Sequence, residues 1–288
     1  MRQYCGYNFL MDRLAAFSHI AAQASRGELS FPANVRASVR LQQALSDPDC
    51  HFESAAKLIQ ADPLLAARSV AIANSVAYNR SGTEISSVRS AVQRLGVRTL
   101  QSLVAALIVR QIGNQIADPA LRTLAAQLWE HTAHVAALSQ VIARRVTHVD
   151  PDTALFAGIV HEVGGFYMLS RAELYPGIMD GEPEDWIAHG ETEIGRGVIR
   201  QLAVPAPVSR AVEAMWVGMR ALPPETLGDT LLLANDLAPV LSPLYERPGA
   251  TSLLAARTID FAVGDGTLDS ILRESAHEVE SLYAVLML

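Results

Sequence analysis

Asp-Pro pairs recur along this chain, among them Asp62-Pro63, Asp118-Pro119 and Asp150-Pro151. An aspartate oxygen accepts from the unpaired N–H groups that open a helix, and proline suits the first helical turn, where no N–H is required. Each of these three pairs therefore marks a helix start. Similar signals recur along nearly the whole sequence, whereas period-two alternation and hairpin turns are lacking. Helices are expected near 8–25, 33–45, 52–60, 63–73, 97–113, 119–146, 151–161, 191–202, 206–217, 226–241 and 266–286. A shorter one follows Ser86 or Ser87, where Val88, Ala91, Val92 and Leu95 share a face and Gly96 stands where a left-handed cap is easiest. The fold class is all-α, with no internal repeat of fixed period. The turn-rich stretches Gly113 to Pro119 and Tyr175 to Pro183 are the interior linker candidates. The first divides the chain into an amino-terminal helical lobe, 1–114, and a carboxy-terminal lobe, 115–288.

Composition narrows the function classes. Of 288 residues, 50% are hydrophobic and 18% charged, enough to bury a sizeable core and too apolar for disorder. The formal net charge is -7 and no Lys/Arg run forms a phosphate-tracking stripe, which argues against nucleic acid as a partner. Arg94 and Arg98 read as solvated helix faces. Cys5 and Cys50 have neither metal nor redox spacing and read as free thiols of a reducing compartment. No run approaches the roughly 18 consecutive apolar residues that cross a bilayer. Asn8, Asp12 and Arg13 interrupt any signal-peptide core. The expectation is a cytoplasmic protein with no membrane partner.

Residues 157–165 carry the most chemistry: Ala-Gly-Ile-Val-His-Glu-Val-Gly-Gly sets His161 beside Glu162 at the end of an apolar helix, before what reads as a glycine break. A neutral imidazole next to a carboxylate is what a divalent ion needs in order to activate water. His131 and His134 stand one helical turn apart and are able to share a metal, although solvated histidines are commoner. Asp236 lies inside an apolar helix, where an acid is costly unless paired, coordinated or turned with Asn235 to the wet face. A zincin is excluded because its second histidine would fall on Gly165. Neither a phosphate-binding glycine loop nor a nucleophile elbow is present.

A second stretch points to a family. Residues 61–79 contain Asp62-Pro63-Leu64 and, after a helix, Ala73-Asn74-Ser75, and are followed by Ala91-Val92-Gln93-Arg94-Leu95-Gly96. These blocks resemble the HDOD family, the HD-related output domain of bacterial signalling proteins. The likeness continues through Leu128-Trp129-Glu130-His131, the His161-Glu162 segment, Glu193-Ile194-Gly195 and Val204-Pro205, and so spans about residues 28–220. Asn74 and Ser75 are expected to cap their helix and fix the turn into Val76 to Tyr78, with no substrate role.

The resemblance implies an amino-terminal helical lobe packed on a degenerate HD-like lobe. In related HD-type phosphohydrolases, metals are held by a helix histidine, a His-Asp pair, further histidines and a late aspartate. Matched motif by motif, these fall on His131, His161-Glu162 and Asp236, while a further histidine position holds Glu191 and a histidine pair is replaced by Met215-Trp216. A thioether and an indole cannot stand in for two imidazoles around a hard cation. The resemblance thus implies a vestigial site of His131, His161, Glu162 and Asp236, with no cofactor expected beyond at most one weakly bound divalent metal. It also implies a groove near Glu191, Met215 and Trp216 for a protein partner in a two-component or cyclic-nucleotide pathway. The competing expectation is a metal-dependent phosphohydrolase or phosphodiesterase acting on a nucleotide.

Overall fold

Asp62, Asp118 and Asp150 each cap the helix they precede, accepting from backbone N–H groups of the first turn at 2.8–3.0 Å. The computed structural model describes residues 13–218, 221, 223–244 and 267–287. Its helices are α1 (Arg13–Ser25), α2 (Ala33–Ser46), α3 (Phe52–Gln60), α4 (Pro63–Ala73), α5 (Val88–Asn114), α6 (Pro119–Ile142), α7 (Pro151–Val160), α8 (Val163–Arg171), α9 (Pro183–Trp186), α10 (Thr192–Gln201), α11 (Ala206–Val217), α12 (Leu227–Leu237) and α13 (Thr267–Met287). No strand occurs among the described residues, so the fold is all-α. The expected start at residue 8 and Cys5 lie outside the described residues, and Cys50 is a half-buried free thiol.

α5 is the spine. Gly96 breaks it at φ +74°, in the left-handed region that favours glycine, and a Cβ there would meet nothing within 4 Å, so the backbone angle and not lack of space calls for glycine. The short helix ending at Leu95 is therefore as expected. Beyond it, the run from Leu103 to Val109 is buried without interruption beneath α2, α4, α7 and α8. This is the one described helix long and apolar enough to cross a bilayer, and 67% of the relevant window is already buried inside the protein, as a core helix requires. A continuous apolar cluster runs from Phe17 and Ile20 through Leu100, Ile108, Leu128 and Tyr167 to Leu286. α1 joins it by packing on α10, with the Phe17 ring 5.9 Å from that of Trp186.

Three sequence expectations need correction. Gly164 and Gly165 are not a helix break: they lie in the first turn of α8, a helix absent from the expected set. A Cβ on Gly164 would stand 2.8 Å from the Gly195 Cα, so the glycines let α8 and α10 touch backbone to backbone. The stretch after Tyr175 ends in α9 and a wide helical turn, Ile187–Glu191, that carries Glu191 inward. Finally, Arg94 is no solvated face. Its guanidinium donates to the Ala73 carbonyl ending α4 and to the Thr83 carbonyl, both at 2.9 Å.

Arg94 shares this task with Asn74, whose amide nitrogen donates to the Ile85 carbonyl at 2.8 Å while its oxygen accepts from the Ile85 N–H at 2.9 Å. The side chain thus pins the far end of the 75–85 loop. It is Ser75 that serves the turn nearby, its hydroxyl donating to Ile72 and its carbonyl accepting from Tyr78 and Asn79. Ser75 thus fixes the turn, as expected, whereas the asparagine reaches further than a cap.

Candidate functional site

α6 and α7 pack closely against each other at Gly158 and Ala136. A Cβ on Gly158 would run into the Ala136 Cα and stand 2.9 Å from its nitrogen, so only glycine allows the approach. The crossing brings His131 from α6 to His161 at the end of α7, with their Nε2 atoms 3.4 Å apart. Both rings are buried, at 1% and 3% exposure.

The opposite edges of these rings settle their tautomers. His131 Nδ1 lies 2.7 Å from the Val240 carbonyl and His161 Nδ1 lies 2.7 Å from the Gly158 carbonyl. A carbonyl only accepts, so each Nδ1 carries the hydrogen, and each neutral ring then turns an Nε2 lone pair toward the other. Protonating one ring would relieve this opposition, yet burial works against the charge. It lowers the His161 pKa to about 3, with His131 adding repulsion, and it lowers that of His131 against the pull of Val240 and Asn235.

Glu162 completes the group. One ligand atom from each of His131, His161 and Glu162 falls within 4.8 Å of the others, and all three residues are buried. Burial raises the Glu162 pKa to about 8, offset in part by the Ser242 hydroxyl, and neither carboxyl oxygen has a hydrogen bond of good geometry among the described residues.

These residues fit one divalent ion. Two Zn–N bonds of about 2.05 Å at a tetrahedral angle place their nitrogens about 3.3 Å apart, close to the 3.4 Å seen. Backbone carbonyls holding the outer nitrogens are the usual support of metal-binding histidines. An ion held by His131 Nε2, His161 Nε2 and a Glu162 oxygen would supply a Lewis acid and an activated water. Asp236, on α12, does not join the three within that distance; its neighbour Asn235 hydrogen-bonds His131. His134 points elsewhere, stacked on Tyr283 with ring centroids 4.1 Å apart.

The space over the pair is small. His161, Glu162, Glu191, Trp186, Trp216 and Leu244 enclose about 10 Å³, room for a single water. Leu244 presses on Gly165, and the Trp216 indole lies on Gly195, where an added Cβ would be 2.6 Å from the ring. Arg196 sits 6.0 Å over that indole and is ion-paired with Glu193 and Glu213. Met215 packs against the core and is not part of this wall. Among the described residues no cation lines the space; its charged residues are Glu162 and Glu191. Two features escaped the sequence reading: the Gly158–Ala136 contact, and the Val240 carbonyl that orients His131. The small residue one turn before the histidine was the signal available for the first.

Among known families, the HDOD domain matches residues 31–181 and the HD domain matches residues 128–248, so the His131, His161 and Glu162 group falls in both. No curated protein matches the chain. A solved protein from Shewanella amazonensis SB2B, provisionally named a metal-dependent phosphohydrolase, superposes with a TM-score of 0.71 at 20% identity, over 96% of this chain and 100% of its own. An HDOD domain protein of unknown function from Geobacter sulfurreducens gives 0.59 at 20% identity, over 94% and 97%. A provisionally named signal transduction protein from Marinobacter aquaeolei VT8 gives 0.57 at 17% identity, over 97% of this chain and 68% of its own. At such identities the likeness is one of fold.

Proposed function

The chain belongs to the HDOD domain family, and from that premise we propose that it is a non-catalytic output or scaffold protein, acting by binding a protein partner in a bacterial signalling pathway. On this reading the protein works in the cytoplasm, its lobes 1–114 and 115–288 act as one body, and its HD-type centre holds at most one divalent ion. The continuous core that passes through α5, α6 and α7 supports the single body.

The observation that carries the reading is the volume over the His161-Glu162 pair. A nucleotide or phosphodiester needs a cavity of roughly 300 Å³ or more, and about 10 Å³ is available among the described residues. The wall is also of the wrong kind. Phosphoryl chemistry wants cations around the transferring group, whereas this space presents Glu162, Glu191 and two indoles. On this reading ion binding and turnover separate: the imidazole pair suits a metal, and the described surroundings offer little room for an ester.

The experiment is an assay of cyclic dinucleotides, nucleoside phosphates and a chromogenic phosphodiester with added manganese, magnesium or zinc. The reading expects no turnover above that of His161→Ala. Turnover that disappears in His161→Ala and survives an exposed Arg273→Ala change would install the phosphohydrolase in its place.

A further inference from the structure

A second cavity, of about 350 Å³, opens at the other end of α7 and α11 from the metal centre. The first residues of α7 and of α11 line it, whereas the last residues of the same helices lead into His161 and carry Trp216. Buried Phe156 and Val208 form its apolar floor, and Pro205, Pro207 and Leu227 form walls. Its size falls in the range of small-molecule sites.

Three charged residues line this cleft: Arg98, Asp150 and Asp152. Two of them are already occupied. Asp150 spends one oxygen on the Thr153 N–H and the other on the Arg98 guanidinium. Asp152 is different. Its Oδ1 accepts from the Tyr78 hydroxyl at 2.7 Å and from the Gln140 amide at 3.2 Å, while Oδ2 receives no hydrogen bond from any described group. Gln140 also donates to the Tyr78 oxygen at 2.7 Å, so the carboxylate is held by a closed triangle anchored in α6. Burial and Asp152 itself push the Tyr78 pKa upward, which keeps the phenol a donor.

We propose that this cleft is a small-molecule input site for an organic cation, an apolar body of about ten heavy atoms bearing a protonated amine. The body would lie on Phe156 and Val208 and the ammonium would donate to Asp152 Oδ2. A carboxylate fixed in advance loses little freedom on binding, and an apolar floor beneath it selects against small hydrated cations. The site gives the chain an input of its own, independent of what its metal centre does.

3-Phenylpropylamine is the probe, with 3-phenylpropanol and 3-phenylpropanoate as controls, followed by calorimetry and methyl NMR of Val208 and Leu227. The amine is expected to bind saturably, one per chain, at roughly millimolar affinity. The alcohol should bind about tenfold more weakly and the acid should not bind. Asp152→Asn should weaken the amine about tenfold and leave the alcohol unchanged, as loss of a charged partner predicts. Leu227→Trp, which fills the cleft from a half-exposed wall, should abolish both. No saturable amine binding, equal affinity in Asp152→Asn, or amine binding indifferent to Leu227→Trp would each overturn the proposal.

Discussion

Replacing Asn74 by alanine removes two hydrogen bonds at once and leaves both partners in place. The Ile85 N–H and C=O lose their side-chain partner among the described residues, at 2.9 and 2.8 Å, in a half-buried position. At about 1 kcal/mol net for each bond, and somewhat more if the orphaned groups stay dry, the change costs about 2 kcal/mol. For a chain of 288 residues that lowers Tm by roughly 3 °C. Differential scanning calorimetry at fixed pH measures it directly. Arg94→Ala removes the bonds to Ala73 and Thr83 that hold the same loop, so the double variant should cost less than the sum of the singles. An unchanged Tm for Asn74→Ala, or strict additivity with Arg94→Ala, would refute the picture of one loop pinned from two sides.

In metal-free protein the pH profile of stability should carry the mark of Glu162. Its folded pKa, about 8, lies above the ordinary value of 4.5, so its contribution is fully present at low pH and is lost as pH rises through 8. His161 acts oppositely, its folded pKa of about 3 costing stability as pH falls below 6.5. Between about 4.5 and 6.5 His161 offsets Glu162, and His131, whose pKa burial also lowers, tips stability upward with pH; above 6.5 stability should fall by about 1.4 kcal/mol per pH unit until pH 8, and urea denaturation of Glu162→Gln should show a flat curve there. Gly158→Ala drives a methyl into the Ala136 backbone, which cannot yield as a side-chain tip can, and should cost about 1–3 kcal/mol and abolish zinc binding in titration calorimetry. Trp216→Ala removes the indole over Gly195 and should let a chelator strip a bound ion faster than from the native protein, as stopped-flow absorbance with a chromogenic chelator would record.

What the sequence disclosed was local. The Asp-Pro starts at 62, 118 and 150 could be read because a cap is made within three residues of its donor groups. Gly96 was legible for the same reason, since its left-handed angle ends a helix whose face is complete. The α8 helix was missed because glycines break helices by default, and what retains Gly164 and Gly165 is the approach of Gly195 and Leu244 from far along the chain. Arg94 was misread because its acceptors are backbone carbonyls, which carry no side-chain signature. The site divides similarly. His161 and Glu162 stand together in sequence, but their meeting with His131 was reached through family resemblance alone, as it depends on how α6 crosses α7. The closure by Trp216 and Leu244 is a matter of packing that no motif records.

A centre that holds one ion at most is open to direct test by inductively coupled plasma mass spectrometry on protein purified without chelator. No more than one divalent ion per chain is expected, lost in His161→Ala, whereas two tightly bound transition ions per chain would overturn the one-ion reading.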